Sequence, residues 1–453
     1  MERTAAMRPA RGEVLELTVD SLAFGGAGVA RLNGYVVFVA DGMPGDRVRA
    51  EVQKSKRAYA EARAIEVIEP GPDRIEPRAD HPGAPWQVLP YERQLEVKHA
   101  QVDDALRRIG RLEDFELEPM VPAIETWRYR NKLEYSFGTD PDGRLVCGFH
   151  APGRWEEIVE LTDCLLASEA ANAARERVVE WCRTRGLTAF DRRTREGFLR
   201  NLVVREGRRT GELQVRLVTS PGELDREGLT DAAQPVGGLL WTRTDSVAET
   251  TQDGDTELLA GGEHLEEEIG GMRVRIAANA FFQTNTEMAE RLYALAVDYA
   301  QPSGTDRLFD LYCGIGTIGL LMAPRAAEVW GLELVEEAIA DAIANARLNE
   351  IENTRFFAGD VRLALRELVQ EAGRPDTVVV DPPRSGLSQK VVRRIIEAAP
   401  GRIVYVSCNP TTLAPNAAQL VEAGYALRRV RPVDMFPQTP HIECVALLER
   451  SSS

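Results

Sequence analysis

The chain has few of the features that tie a protein to a membrane, a secretory route or a metal. The 453 residues contain no run of about 18 apolar residues, so we expect no transmembrane helix. The first residues, Met1-Glu2-Arg3-Thr4, lack the apolar core of a secretory signal, which predicts a cytoplasmic protein. Five dispersed histidines show no HExxH or other zinc-ligand spacing, and we therefore predict no metal site.

Cysteine is also scarce. The six cysteines include no CxxC pair, which argues for a reducing compartment and against a disulfide framework. They lie far apart, at positions 147, 164, 182, 313, 408 and 444. Because a free cysteine is most often a small apolar packing residue, each one needs independent evidence before it is treated as reactive.

Two local runs of charge stand out against the overall balance. The net charge is −16, which is unusual for a protein that binds nucleic acid, although whole-chain charge mainly governs solubility. Between Arg183 and Arg209, nine arginines and only three acids give a local charge of +6, a candidate RNA footprint. Between Asp245 and Glu268, nine acids occur without a lysine or arginine, and we expect a solvated acidic face.

The chain length predicts about three domains. Residues 1–70 contain short alternating strands punctuated by glycines, which predicts a small OB-like β-barrel with basic loops that suit RNA. Residues 71–270 begin with a proline-rich linker and a helix over 91–111, and continue as a β-rich domain. Residues 271–453 form the third predicted domain, in which helical and strand patterns alternate.

The sequence pattern of residues 271–453 predicts an α/β fold with a Rossmann-like, doubly wound sheet. Apolar runs alternate with helical segments such as 338–349 and 390–399, as expected for parallel strands joined by helices. The predicted strands are 307–311, 328–332, 376–380 and 402–406. Since such sheets bind ligands at the carboxyl ends of their strands, the residues directly after these runs are the site candidates.

A glycine-rich turn follows the first of these strands. Gly314-x-Gly316-x-x-Gly319 fits a nucleotide-binding turn, in which glycines let a ligand approach the backbone. The next strand ends in Glu333, whose carboxylate can accept hydrogen bonds from two ribose hydroxyls. Asp360 follows a further apolar run and is a candidate contact for an adenine edge. These features suit both NAD and S-adenosylmethionine, so an NAD-dependent oxidoreductase stays an alternative.

Two further strand ends carry candidate chemistry. Asp381-Pro382-Pro383 ends the third strand, and its prolines stiffen the loop by fixing φ, a motif typical of methyltransferases that act on planar bases. Ser407-Cys408-Asn409-Pro410 ends the fourth strand. Because Asn-Pro is a turn signal, we expect this strand to stop just after the thiol. Cys408 is therefore a candidate nucleophile at the cofactor edge of the sheet.

Together, the C-terminal motifs resemble those of the S-adenosylmethionine-dependent RNA uracil-5-methyltransferases that act on ribosomal or transfer RNA. Their order and spacing agree over roughly 175 residues. The matching segments are Phe281–Asn285, Asp310–Gly316, Asp381–Arg384, Ser407–Leu413 and Asp434–Glu443. The N-terminal barrel is similar to the TRAM domain of that family, and Tyr129-Arg130-Asn131-Lys132 is similar to a motif of its central domain.

The resemblance implies a role for individual residues. It implies methyl transfer to carbon 5 of uracil, with Cys408 as the nucleophile that adds to carbon 6 and Glu443 as the base that removes the carbon 5 proton. The residues implied to hold the cofactor, S-adenosyl-L-methionine, are Gln283, Tyr312, Glu333, Asp360 and Asp381. Glu443 stands in a mostly apolar strand, so desolvation should raise the pKa of its carboxylate. The adjacent Cys444 should face the opposite side and pack in the core.

The chain departs from the family at one point. Many members bind an iron–sulfur cluster through four cysteines, three of which lie between the barrel and the first helix. Here the segment 78–86 contains no cysteine, and Cys164 alone matches the fourth position. Since one thiolate cannot hold a cluster that needs four ligands, we predict no iron–sulfur cluster.

The resemblance also implies that the substrate is structured RNA. The target uracil must leave its stack to reach Cys408, which requires base flipping or a single-stranded loop. We expect 23S ribosomal RNA because the barrel is present, with transfer RNA as the alternative, and we expect a monomer that does not bind membranes. A non-catalytic RNA-binding factor with the same fold is the competing hypothesis of another class.

Overall fold

The alternating residues near the N-terminus form a closed five-stranded barrel in the computed structural model, which describes residues 8–246, 251 and 253–451. The strands are β1 (Val14–Leu22), β2 (Gly28–Leu32), β3 (Tyr35–Ala40), β4 (Arg47–Ser55) and β5 (Tyr59–Glu69), in the order β1-β2-β3-β5-β4. Alternate apolar side chains, such as Val37 and Val39, fill the interior, while their neighbours in sequence face outward. The predicted barrel is confirmed.

The linker after the barrel reaches across to the C-terminal sheet. Helix α1 (Tyr91–Asp104) continues into one π-helical turn, Ala105–Ile109, in agreement with the helix predicted over 91–111. The short strand β6 (Glu116–Leu117) then pairs in parallel with a strand near the C-terminus of the chain. Residues far apart in sequence are therefore brought together before the central domain begins.

The central part is a seven-stranded sheet with helices on one face. Its elements are β7 (Lys132–Thr139), β8 (Leu145–Ala151), β9 (Arg154–Glu160), α2 (Glu169–Thr184), β10 (Leu199–Glu206), β11 (Leu213–Thr219), α3 (Arg226–Ala233), β12 (Gly238–Arg243) and β13 (Asp255–Gly261). The strand order is β13-β12-β11-β10-β7-β8-β9. Apolar residues of alternate positions, such as Leu202 and Leu217, pack with α2 and form the core of this part.

The arginine run in this region carries less free charge than its sequence suggests. Several of these arginines form ion pairs with acids that are distant in sequence or on neighbouring turns, among them Arg183, Arg185, Arg208 and Arg209. Arg205 is buried and donates to the carbonyl oxygens of Ala277 and Ala280. The local charge of +6 therefore overstates the charge offered to RNA, and the RNA footprint stays a prediction.

The acidic run is only partly a solvated face. Its residues 247–250 and 252 lie outside the described residues, and its end forms the hairpin of β14 (His264–Ile269) and β15 (Met272–Ala277). Glu267 in β14 is 1% exposed, so the expectation of a solvated face is wrong there. Its carboxylate accepts hydrogen bonds from the backbone of Arg208 and Arg209 and from the hydroxyl of Thr286. These donors replace the water that a buried carboxylate loses.

The C-terminal part is an eight-stranded sheet between two layers of helices. Its elements are α4 (Thr286–Ala300), β16 (Arg307–Leu311), α5 (Thr317–Met322), β17 (Glu328–Glu333), α6 (Glu336–Leu348), β18 (Thr354–Ala358), α7 (Val361–Ala372), β19 (Thr377–Val380), α8 (Gln389–Ala398), β20 (Arg402–Ser407), α9 (Pro410–Glu422), β21 (Tyr425–Val433) and β22 (Glu443–Arg450). The strand order is β18-β17-β16-β19-β20-β22-β21-β6. The four predicted strands match β16, β17, β19 and β20 to within a residue at each end.

Two details of this sheet determine what its edge can do. The five strands β16 to β20 run parallel, whereas β22 is inserted antiparallel between β20 and β21. Strand β20 ends at Ser407, one residue beyond the predicted run 402–406 and just before the thiol rather than after it, and Asn409-Pro410 begins a helix instead of a turn. The Asn409 side chain accepts from the Thr411 amide, and Pro410 occupies the first helical position, where its missing N–H costs nothing. In the described part of the chain, no helix is long and apolar enough to cross a membrane.

Glu267 provides a test of how the hairpin is attached to the rest of the fold. Replacing it by alanine leaves several buried donors without an acceptor, and we expect a loss of stability on the order of 2 kcal/mol or more. The measurement is thermal unfolding of Glu267→Ala beside Glu268→Ala, an exposed neighbour in the same strand. Equal melting temperatures for the two variants would contradict the structural role given to Glu267.

Candidate active site

Six of the seven residues predicted for the site meet at one edge of the C-terminal sheet. Each of the five parallel strands ends there, and β22 starts there because it runs in the opposite direction. The residues at or just beyond these strand ends are Tyr312, Glu333, Asp360, Asp381, Cys408 and Glu443. The carboxyl edge of a parallel sheet is where α/β proteins bind ligands, so the fold itself assembles the site.

Asp310 holds the glycine-rich turn between β16 and α5 through a hydrogen bond to its backbone. Asp310 is buried, and its Oδ2 accepts from the Gly319 amide at 2.8 Å. A Cβ on Gly319 would lie 2.8 Å from that same oxygen, so the turn needs glycine there. Gly314 has φ +54° and nothing within 4 Å of where a Cβ would be, which leaves its backbone open to a ligand. Asp310 begins the matched motif Asp310–Gly316, but no role was predicted for it.

The next strand end offers a carboxylate and an apolar surface. Glu333 accepts hydrogen bonds from the amides of Gly314, Leu334 and Val335, at 3.2, 2.7 and 3.1 Å. Leu334 and Val335 are 66% and 48% exposed, an unusual place for two adjacent apolar side chains. A nucleoside has polar ribose hydroxyls beside a flat base. A carboxylate next to exposed apolar side chains can bind both, so this corner fits an adenosine group.

Two other predicted cofactor residues flank that corner. Tyr312 directly follows β16 and adopts φ +64°, a strained backbone for a residue other than glycine, and burial raises the pKa of its phenol to about 12. Asp360 caps α7, and its carboxylate is engaged by Arg362, which holds the pKa of that carboxyl below its usual range. Asp360 can therefore offer a ligand only the oxygen lone pairs that Arg362 leaves free.

Asp381 and Cys408 lie at neighbouring strand ends, after β19 and β20. Burial raises the pKa of the Asp381 carboxyl to about 7. It also raises the pKa of the Cys408 thiol to about 11, with further increases from the carboxylates of Glu443 and Asp381. Arg384, in the loop after Asp381, acts in the opposite direction on Cys408. The thiol is half-buried and belongs to the same electrostatic environment as both carboxylates.

Glu443 is a buried carboxylate at the start of β22, not an exposed strand end. It is 3% exposed, and burial followed by the charge of Asp381 raises the pKa of its carboxyl well above the usual value. The last pair of the antiparallel register joins Ser407 and Cys444, so Cys408 and Glu443 are the next residues on the two chain segments, and the Glu443 charge acts on the Cys408 thiol. The predicted packing role of Cys444 is confirmed, since it is fully buried in the core.

Gln283 approaches from outside the sheet, in the segment before α4. It is 6% exposed, and its carbonyl oxygen accepts from the Asn131 side chain at 2.8 Å. Phe282 packs in the core with residues of β20 and β22, whereas Phe281 is 71% exposed. The segment is therefore anchored between the central and C-terminal parts, and a motif of each part contributes to the anchor.

Arg384 and His441 were quoted in the matched motifs but were given no role. Arg384 is exposed. Its charge opposes the rise in the pKa of Cys408 and Glu443 that burial causes, and it adds to the fall in the pKa of His441. Burial together with Arg384 and Arg130 lowers the pKa of the His441 imidazole to about 4, which keeps this ring neutral. The site therefore combines the positive charges of Arg384 and Arg130 with carboxylates whose burial opposes their ionisation.

Cys164 has a histidine partner instead of other cysteines. Its Sγ lies 3.4 Å from Nε2 of His81, and both side chains are buried. Burial lowers the pKa of His81 to about 4. Across residues 8–246, 251 and 253–451, no group of three or more His, Cys, Asp and Glu side chains could hold a metal ion. The absence of an iron–sulfur cluster stays a prediction.

Comparison with known proteins now identifies this arrangement. The family model for tRNA (Uracil-5-)-methyltransferases matches residues 262–451, and the TRAM domain model matches residues 9–65. A protein of Caldanaerobacter subterraneus described as an uncharacterized RNA methyltransferase is 39% identical over 455 residues, which cover 98% of this chain and 100% of that protein. A protein of Halalkalibacterium halodurans with the same description is 37% identical over 97% of each chain.

A solved structure extends the likeness to the whole fold. The tRNA (uracil-54, C5)-methyltransferase of Pyrococcus abyssi, in complex with S-adenosyl-L-homocysteine, has a TM-score of 0.78 and 29% identity, and the likeness covers 96% of this chain and 100% of that one. The predicted class I methyltransferase fold and the predicted cofactor are confirmed, and the oxidoreductase and non-catalytic alternatives are dropped. The chain belongs to the RNA uracil-5-methyltransferase family, and it is an S-adenosylmethionine-dependent enzyme with an N-terminal TRAM domain.

Proposed function

We propose that the enzyme methylates carbon 5 of a uridine in structured RNA through a covalent bond between Cys408 and the uracil ring, with 23S ribosomal RNA as the substrate expected from the sequence. The observation that supports this proposal is that Cys408 and the buried Glu443 directly follow the last pair of the β20–β22 register, Ser407 and Cys444, and that the Glu443 charge acts on the Cys408 thiol. A nucleophile and a base that lie close together suit a reaction in which the nucleophile adds to one ring atom and the base removes a proton from the adjacent ring atom.

The two residues solve a problem of reactivity. Carbon 5 of uracil is a weak nucleophile, but addition of the Cys408 thiolate at carbon 6 breaks the 5,6 double bond and places its electron pair on an enolate. After carbon 5 has gained a methyl group, Glu443 takes the proton from carbon 5. The electron pair left behind reforms the double bond, and the Cys408–carbon 6 bond breaks to release the thiolate. A carboxyl with a raised pKa is suited to accept that proton.

Five residues of the site would hold the cofactor, which supplies an electrophilic methyl group on a sulfonium when it is bound. The Glu333 carboxylate would accept from ribose hydroxyls, and the exposed Leu334 and Val335 would cover the adenine ring. The others would be Gln283, Tyr312, Asp360 and Asp381. The open backbone at Gly314 leaves room for the amino acid portion.

Transfer RNA is the second candidate substrate. The solved Pyrococcus abyssi neighbour is a tRNA methyltransferase, and its likeness covers 96% of this chain, so the barrel does not distinguish the two RNAs. Mass-spectrometric mapping of 5-methyluridine in both RNAs from a deletion strain decides between them. We expect the modification to disappear from a 23S ribosomal RNA position, and its loss from transfer RNA alone would reject the ribosomal assignment.

The proposed order of events predicts a trapped intermediate. Glu443→Gln can still add Cys408 to the uracil but cannot remove the carbon 5 proton, so an RNA–protein adduct should accumulate and survive a denaturing gel. Cys408→Ala is the matched control, and it should give neither adduct nor methylated RNA. An active Cys408→Ala enzyme, or a Glu443→Gln enzyme without adduct, would show that the roles are assigned wrongly.

The raised pKa of Cys408 predicts how its reactivity depends on pH. Because the thiolate is the reactive form, alkylation of Cys408 by iodoacetamide should accelerate about tenfold per pH unit from pH 7 to 9. A carboxylate charge at position 443 disfavours the thiolate, so Glu443→Gln should lower the thiol pKa from about 11 and speed alkylation at a given pH. Peptide mass spectrometry separates Cys408 from Cys313. Slower alkylation in Glu443→Gln would contradict the electrostatic coupling.

A further inference from the structure

The loop that ends at the proposed base is unusually well buried. Residues 434–442 join β21 to β22, and we refer to them as the β21–β22 loop. Asp434, Met435, Gln438, Thr439 and Ile442 are all 5% exposed or less. Loops normally run over the surface because their backbone N–H and C=O groups need partners, so a buried loop must obtain partners from elsewhere in the protein.

Gln94 of α1 supplies two of those partners. Its Oε1 accepts from the Gln438 amide at 2.9 Å, and its Nε2 donates to the Gln438 side-chain oxygen at 2.8 Å. The same Nε2 also lies 3.0 Å from the carbonyl oxygens of Trp86 and Leu89, so the side chain is held on both sides. Gln94 is fully buried. One amide thus fixes the middle of the loop to the linker helix.

Lys98, one turn further along α1, holds the start of the loop. Its ammonium group lies 2.6 Å from Oδ1 of Asp434 and donates to the carbonyl oxygen of Phe436 at 3.1 Å. Both members of the ion pair are fully buried. Burial lowers the pKa of Lys98, and the charge of Asp434 opposes that shift. Removal of one partner would leave the other charge buried without a counterion, which is strongly destabilising, so the two residues depend on each other.

The loop also holds a strained backbone. Gln438 has φ +65°, a conformation that residues other than glycine adopt at a cost of about 1–3 kcal/mol. Such strain persists only where surrounding contacts enforce it, and the Gln94 amide contacts this residue on both its backbone and its side chain. Five residues further on the chain reaches Glu443, so a relaxed Gln438 would change the path that leads to the base.

We propose that Gln94 and Lys98 are positioning residues for Glu443, a proposal that rests on the role of Glu443 as the base. Both act from a helix outside the region matched by the methyltransferase family model, 262–451. Among the described residues, neither Gln94 nor Lys98 has a hydrogen bond to Cys408. Cys408 follows β20, in the middle of the sheet. Misplacement of a catalytic group by about 1 Å can cost a factor on the order of 100 in rate. Loss of either residue should therefore impair proton removal more than thiol addition.

Gln94→Leu separates these two steps. With an RNA transcript that carries the mapped uridine, single-turnover reactions are resolved on denaturing gels and followed in parallel for methylated product. We expect adduct formation within about twofold of wild type, release of methylated RNA slower by about tenfold or more, and adduct accumulation as in Glu443→Gln. Gln101→Leu is the matched control, because Gln101 lies on the same helix but donates to the Leu22 carbonyl of the barrel.

Lys98→Met tests the second contact in the same assay. If the stranded Asp434 charge prevents folding, Lys98→Met with Asp434→Asn removes both charges and still deprives the Phe436 carbonyl of its donor, so adduct should again accumulate. Parallel loss of addition and release in folded variants would overturn the positioning role, as would release at the wild-type rate. Failure of Glu443→Gln itself to accumulate adduct would instead overturn the proposed role of the base.

Discussion

The antiparallel insertion of β22 between β20 and β21 is the constraint on which the site depends. Five parallel strands bring their carboxyl ends to one edge, but only a strand of opposite direction can begin at that edge. As a result Cys408, which directly follows β20, and Glu443, which starts β22, lie at the same end of these two neighbouring strands. A shift of one residue in this register would turn Glu443 toward the apolar core that Cys444 occupies, so core packing favours the observed register.

Burial determines the chemistry that this geometry can perform. Asp310, Asp381 and Glu443 are acids in a largely dry region, and the same burial raises the pKa of the Cys408 thiol. The thiol is therefore protonated at neutral pH, and Arg384 is the nearby charge that favours its ionisation. A resting thiol of this kind is protected from stray electrophiles.

Features encoded within a short stretch of sequence were predictable, and those that depend on distant partners were not. Strands β16, β17, β19 and β20 are buried on both faces and therefore read as apolar runs, whereas the half-exposed edge strand β18 showed only a short apolar run before Asp360 and was not predicted as a strand. Asn409-Pro410 fits a turn and a helix start equally well, and only the following residues decide. The charge of the arginine run and the burial of Glu267 were misjudged because their partners lie about 20 to 80 residues away.

The catalytic region is not complete within the methyltransferase domain. The β21–β22 loop takes hydrogen bonds from Gln94 and Lys98 of the linker helix and from the Tyr129 hydroxyl of the central part, 3.0 Å from the Pro437 carbonyl. The barrel also reaches it, since a Cβ on Gly26 would lie 2.9 Å from Pro440. Elements that would grip RNA and the strand that carries the proposed base therefore contact one buried loop. This shared contact gives a physical reason for the three parts to persist as one chain.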